Sequence, residues 1–224
     1  MKLYMHPVSM TSRPVRLFIA ENGINADEQV VDLMTGEHLQ PPYTAINPNK
    51  LVPVLEDGDL RLTESSAILK YLADKIDSPA YPKDLKERAK VNEMMDWFNT
   101  NFYRDFGYGL AYPQIFPHHK RQTEDVQKAT LEWGKGRAQS WLQILNDHWL
   151  GKGNAYLCGD EITIADYFGA CLLTLGLIIR CDFSKYPNVE SWLGRMRQLK
   201  SWDSVNEALY GFKEAVKDQS FETV

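Results

Sequence analysis

The periodicity of this chain changes once, at DSPAYPKD, residues 77–84. Before it, short alternating runs trade with amphipathic helices; after it, every apolar pattern has helical spacing. Two prolines in a polar stretch mark a connection, not an element. A uniform bundle or an all-β sandwich is thereby excluded. The pattern predicts a small α/β domain over residues 1–77, a linker over 78–86 and an all-helical domain over 87–224.

The first part reads strand, helix, strand, helix, strand, strand, helix. KLYMH, residues 2–6, alternates Leu3 and Met5 against Tyr4 and His6. From Ser12 the period becomes helical through Val15, Phe18 and Ile19, and Asn22-Gly23 stops it. EQVVDL, residues 28–33, is a second strand. VPVLEDGDLRLTES reads as a hairpin, Val54 and Leu55 facing Leu60 and Leu62 across the turn dipeptide Asp57-Gly58. A helix follows over Ser65–Lys75. In the second part, Val91, Met94, Met95, Phe98 and Phe102 form one stripe, and Leu131, Ala138, Trp141, Leu142, Leu145 and Trp149 another. Residues 164–179 are nearly all apolar, a central helix; shorter helices follow near 188–199 and 203–217.

With 224 residues, 44% of them hydrophobic, the chain can build a core without a disulfide or metal. A net charge of −5 argues against nucleic acid and against an anionic membrane surface. Cys158, Cys171 and Cys181 match no zinc spacing and read as reduced thiols in packing, as in a cytoplasmic protein. MKLYMHP is too short and polar for a signal peptide. The longest apolar run, Phe168–Ile179, has 12 residues against the roughly 20 that a membrane span needs.

Two motifs carry chemistry. In Leu51-Val52-Pro53-Val54 a proline opens a strand. A cis bond before Pro53 would turn the Val52 main chain outward, where it could pair with a peptide-like ligand as an added strand does; a trans proline would merely start the strand. In Thr63-Glu64-Ser65-Ser66, Ser65 sits at a helix start. Its hydroxyl and the free N–H groups make an anion site, and Glu64 can accept from an ammonium group. Together they suit the α-amino acid end of a ligand, although simple capping by Thr63 or Ser65 would explain the same residues.

The run GEHLQPPYTAINPNKLVPVLEDGDLRLTESSAILKYLADK resembles the glutathione-binding half of cytosolic glutathione transferases, especially the theta and delta branches and their bacterial relatives. YLCGDEITIAD, residues 156–166, resembles the helical-domain signature of the same family. The resemblance implies a thioredoxin-like domain followed by a helical domain, glutathione as co-substrate with no metal, and a homodimer. Carried over residue by residue, it implies that Val52 and cis-Pro53 pair with the cysteinyl part of glutathione. Glu64 and Ser65 would hold the γ-glutamyl end, and His38 and Lys50 would reach the glycyl carboxylate. Leu51 departs from the family, where a polar or basic residue commonly precedes Val-Pro, and so shifts weight to Lys50. Asp166, three residues after Thr163, reads as a structural helix cap whose loss costs about 1 kcal/mol.

The chemistry follows from the thiol. Its pKa of ~8.5 leaves it protonated at neutral pH, while the thiolate is the nucleophile. One hydroxyl donating to the sulfur at a helix N-terminus lowers that pKa without a base or a metal. HPVSMTSRPVR, residues 6–16, offers Ser9, Thr11 and Ser12. Alignment on the end of the first helix favours Ser9; the Ser-x-Pro-x-Arg pattern favours Ser12; a cysteine-using bacterial branch points at Thr11. The resemblance to a His-Pro-Ala-Ser opening decides for Ser9, with Ser12 read as a helix cap. Tyr4, inside the first strand, reads as packing.

The second substrate of the family lies between the domains. GYGLAYPQIFPHHKR is irregular and aromatic, and its Tyr108, Tyr112 and Phe116 are the expected wall for a hydrophobic electrophile. The expected activity is thiolate attack on that electrophile in detoxification. Glutathione-dependent peroxide reduction, dehalogenation or ether cleavage is the enzymatic alternative, and a non-catalytic glutathione-binding or scaffolding protein is the alternative of another class.

Overall fold

A computed structural model describes residues 1–224. The first part forms a four-stranded sheet ordered β2-β1-β3-β4 from β1 (Lys2–Met5), β2 (Asp27–Val30), β3 (Val54–Asp57) and β4 (Leu60–Leu62). β1 runs parallel to β2 and antiparallel to β3. This is the thioredoxin-like α/β arrangement that the sequence predicts, with an all-helical part behind it. Helix α1 (Ser12–Glu21) provides the crossover between the parallel strands, α2 (Tyr43–Ile46) is a single turn, and α3 (Ser65–Lys75) follows the hairpin.

The hairpin turn differs by one residue from expectation. Asp57 pairs with Leu60, so the loop is Gly58-Asp59; Leu55 faces Leu62, and Val54 has no partner in β4. Gly58 lies at φ +64, the left-handed conformation that the first position of such a tight turn favours. Strand β2 stops at Val30, and all four of its residues are exposed, because it forms the sheet edge.

Helix α4 (Leu85–Trp97) does not end where its α-helical hydrogen bonding ends. It continues as a wider, π-helical stretch over Phe98–Ala111 and returns to α geometry in α5 (Tyr112–Ile115). An apolar seam runs along it. Met94, Phe98, Phe102, Phe106 and Leu110 recur every fourth residue, and all five are buried.

Helix α6 (Glu124–Ile144) packs along this stretch, and a Cβ on Gly134 would collide with the Gly109 carbonyl. The apolar 164–179 run divides into α7 (Ile164–Leu173) and α8 (Leu175–Ile178), followed by α9 (Pro187–Met196) and α10 (Trp202–Ala215). No helix is long and apolar enough to cross a membrane.

One core of 50 buried residues runs from Leu3 through Phe98 and Phe168 to Val216, so both halves share it. At its centre the Asp166 carboxylate accepts from the Leu157 and Thr163 N–H groups, the Thr163 hydroxyl and the Trp192 indole, all at 2.8–2.9 Å. Asp166 is therefore a four-bond hub for the loop before α7, a larger structural role than a cap alone. The three cysteines are free, and burial pushes the Cys158 thiol up to about 12 and Cys171 to about 11, out of reach of thiolate chemistry.

Candidate active site

The C-terminal end of β1, the N-terminus of α1 and the loop before β3 meet in a cleft of about 200 Å³. Ser9, Thr11, His38, Lys50, Val52, Tyr108, Tyr112 and Phe116 all line it. A smaller pocket of about 150 Å³, lined by Pro53, Thr63, Glu64 and Ser65, joins it through Thr11, Leu51, Val52, Tyr103 and Tyr108. A larger hollow of about 780 Å³ beside Ser78 and Cys158 contains none of the expected site residues.

The loop ahead of β3 is fixed from behind. The Leu51 carbonyl accepts from the Tyr43 hydroxyl at 2.6 Å and the Asn47 amide at 2.8 Å, and the Val52–Pro53 bond is cis. Burial pushes the Tyr43 phenol up to about 12, so it remains a donor. The Val52 N–H donates to no protein group, leaving an open main-chain donor in the cleft. A second cis bond, Pro41–Pro42, precedes α2.

Glu64 lies at φ +64, immediately before α3, with no capping bond from its own side chain. That backbone conformation is costly for a residue with a Cβ, and such strain concentrates at functional sites. Ser65 is buried at the first position of α3, and the N–H groups of residues 65–67 donate to nothing in the protein. The capping explanation of these residues is thus not realised; Glu64 and Ser65 both line the small pocket.

The three hydroxyls of residues 9–12 separate by what each already does. Ser12 is fully buried, outside the cleft, and its oxygen accepts from the His6 N–H at 3.4 Å. It is the first residue of α1 but does not cap it; the Ser9 hydroxyl does, accepting from the Ser12 N–H at 3.2 Å. Thr11 commits its only proton to the Val52 carbonyl at 2.9 Å. Ser9 and Thr11 oxygens are 3.1 Å apart, and with the Thr11 proton engaged, Ser9 is the donor of that pair. Of the two hydroxyls that line the cleft, Ser9 is thus the one whose proton can turn from a neighbouring hydroxyl to an incoming acceptor, and the N–H that it accepts from polarises it further.

His38 stands in a single helical turn at Glu37–Leu39, with its Nδ1 buried and unpartnered beside the cleft. Burial, and secondarily the nearby His118, hold its imidazole below the usual range. Lys50 is exposed at the cleft rim at φ +59, and Leu51 is 57% exposed. Tyr4 is partly buried and donates to Glu56 at 3.1 Å, away from the cleft.

The opposite wall comes from the π-helical stretch and α5. Tyr103 and Tyr112 are buried and share a hydrogen bond, and Tyr108 is 43% exposed with its ring 5.0 Å from Tyr112. Phe116 stacks on Phe212 at 6.1 Å, and His119 stacks on Tyr112 at 5.3 Å. Tyr103 and His6 also line the cleft, though the sequence reading did not assign them to it, and His118 and His119 line it within the segment expected to form this wall. The His118-His119 pair beside Phe116 was the available signal. Burial holds His6 and His119 below the usual imidazole range.

Known proteins resemble this arrangement throughout. Residues 1–74 match the family described as glutathione S-transferase, N-terminal domain, and residues 112–200 match glutathione S-transferase, C-terminal domain. The chain is 34% identical to human glutathione S-transferase theta-1 over 93% of its length and 87% of the relative's. Rat glutathione S-transferase theta-2 is 33% identical over 93% of this chain and 85% of its own. The crystal structure of human glutathione transferase theta-2, complexed with glutathione and an unknown ligand, superposes with a TM-score of 0.87 at 30% identity, covering 100% of this chain and 93% of that one. A glutathione transferase homologue from Drosophila mojavensis with bound glutathione gives 0.84 at 28% identity over 100% and 98%.

Proposed function

Because this chain belongs to the glutathione S-transferase family, we propose that glutathione lies across its cleft with the sulfur at Ser9 and the γ-glutamyl end at Glu64 and Ser65. The enzyme is a glutathione transferase, and its reaction is attack of the glutathione sulfur on an electrophile. In the proposed pose the Val52 N–H and carbonyl pair with the cysteinyl main chain, since a carbonyl that accepts from Thr11 keeps a second lone pair. Pro53 shapes that edge. Glu64 accepts from the ammonium group, and the N–H groups at the start of α3 hold the carboxylate. His38 and Lys50 serve the glycyl carboxylate at the other end of the cleft.

The thiol proton leaves to solvent, and the Ser9 hydroxyl turns its donation from Thr11 to the sulfur. The N-terminus of α1 adds a favourable partial charge. The thiolate lone pair then forms the new S–C bond while the leaving group departs with its electron pair, or a conjugated π pair shifts to a carbonyl oxygen. Tyr108, Tyr112 and Phe116 flank the electrophile. The same reading divides the chain at 1–77, 78–86 and 87–224, gives it the homodimer usual for the family and a cytoplasmic location, and assigns no role to a metal.

The observation that carries the serine assignment is that Ser9 lines the cleft and donates only to the neighbouring Thr11 hydroxyl, whose own proton is held by the Val52 carbonyl. The test is ultraviolet titration of bound thiolate in Ser9→Ala, Thr11→Ala and Ser12→Ala. Ser9→Ala is expected to raise the thiol pKa by at least about one unit; an unchanged value rejects the assignment. A panel of aryl halides, alkyl halides, enals and hydroperoxides separates conjugation from peroxide reduction.

A further inference from the structure

The most unusual group in the core is the guanidinium of Arg13. It is 0% exposed, and no carboxylate touches it. Its terminal nitrogens donate to Thr174 Oγ1 at 2.8 Å, the Cys171 carbonyl at 3.3 Å, Asn206 Oδ1 and the Met10 sulfur. Its Nε–H has no acceptor. The titratable groups facing it are Cys171 from α7, Tyr103 and Tyr112 from the cleft wall, and Tyr210 from α10. Burial favours the neutral form of all four, so none supplies a negative charge at neutral pH. A whole positive charge therefore stands in the core without a counter-charge. Removing an ion from water without an opposite charge is expensive, and the fold needs only donors for Thr174 and Asn206.

The position of the charge gives it a use. Arg13 is the second residue of α1, and its main-chain N–H donates to the Ser9 carbonyl at 3.1 Å. Met10, which its side chain touches, lines the cleft, as do Tyr103 and Tyr112. One layer of side chains separates the guanidinium from the cleft, and a charge acts further through such a medium than through water.

We propose that Arg13 is the remote counter-charge of the glutathione thiolate, a positioning residue that favours the ionised sulfur through its field while Ser9 makes the contact. The inference rests on the glutathione reading above. It explains why the cation is left unpaired: a carboxylate beside it would cancel the field that the sulfur feels.

Asn206→Asp provides the test, because it places a carboxylate on Arg13 without altering the cleft. The expected result is a rise of about one unit in the bound-thiol pKa, read by ultraviolet titration. At about pH 6.5 kcat/KM should fall roughly tenfold, with the deficit closing as pH approaches about 9. Arg13→Lys should remain near the parent, and Arg13→Met should move the same way as Asn206→Asp. A merely structural Arg13 predicts an unchanged thiol pKa in Asn206→Asp, whatever the loss of the Asn206 amide bond to the Trp202 carbonyl costs in stability, and that result overturns the proposal even if Arg13→Met fails to fold. If the parent enzyme binds glutathione without forming thiolate, the function reading fails together with this one. If the parent forms thiolate and Asn206→Asp leaves its pKa in place, only this inference fails.

Discussion

On one side of the cleft, Val52 and the start of α3 offer main-chain N–H groups; on the other, Tyr103, Tyr108, Tyr112 and Phe116 offer rings. The first side is held by backbone devices: a cis peptide before Pro53, a left-handed Glu64 and the first turn of a helix. The second is held by aromatic packing on a widened helix. The difference fits the two substrates proposed above, glutathione and an electrophile. An invariant peptide can be met by fixed main-chain donors, whereas a varied electrophile requires surfaces that single substitutions can reshape. Each variant below should therefore disturb one side and leave the other intact.

The largest effect belongs to the sulfur contact. Ser9→Ala should lower kcat/KM about 10²- to 10³-fold near neutral pH, as does loss of one anion-stabilising donor elsewhere, with activity returning as pH rises. A pH–rate profile checks it, and a uniform loss at all pH values would break the assignment. Next, Glu64→Gln should weaken glutathione binding by about 1.5–3 kcal/mol, roughly ten- to a hundredfold in its KM, because a charged hydrogen bond is lost. The KM for the electrophile should not move. Phe116→Ala should do the converse, costing about 1.5 kcal/mol or roughly tenfold in the electrophile KM while glutathione binding holds. If either variant shifts both constants equally, the two walls are not independent.

The smallest effect concerns acid. Burial lowers the folded-state pKa of His6, His38 and His119 below the usual 6.5. The unfolded chain therefore takes up protons first, and stability should decline as pH falls from about 6.5 through the lower folded values, with no change above that window. Thermal melts across pH 5 to 8 would show it. Of the three, only His6 belongs to the strand side of the cleft in sequence order before α1, so His6→Asn compared with His119→Asn apportions the loss between the walls.

Legibility in the sequence follows the same division. Backbone devices leave signatures: a proline at a strand start, a Glu-Ser pair at a helix start, a Gly in a hairpin. The helix over Ser65–Lys75 matched its expected bounds, and the residues flagged at 38, 50, 52, 53, 64 and 65 converge on two joined pockets. The hairpin turn moved by one residue because Asp57 was free to pair, which depends on register. Hydrogen-bond commitments were not legible. Whether Ser12 or Ser9 caps α1 depends on where the loop turns back, and nothing local sets that. Arg13 was unreadable for the same reason, since its partners Thr174 and Asn206 lie more than 160 positions away. The fourfold spacing of the apolar seam was legible, but the widening of the helix that carries it was not.

That spacing has a consequence for how such a protein can change over generations. The seam of Met94, Phe98, Phe102, Phe106 and Leu110 faces inward, while Tyr103, Tyr108 and Tyr112 on the same segment face the cleft. Exchanging a cleft-facing ring leaves the seam untouched, but inserting or deleting one residue rotates everything beyond it off register. Lineages descended from this chain should therefore vary the tyrosines while conserving the length of the segment, so that two faces of one helix drift on different clocks.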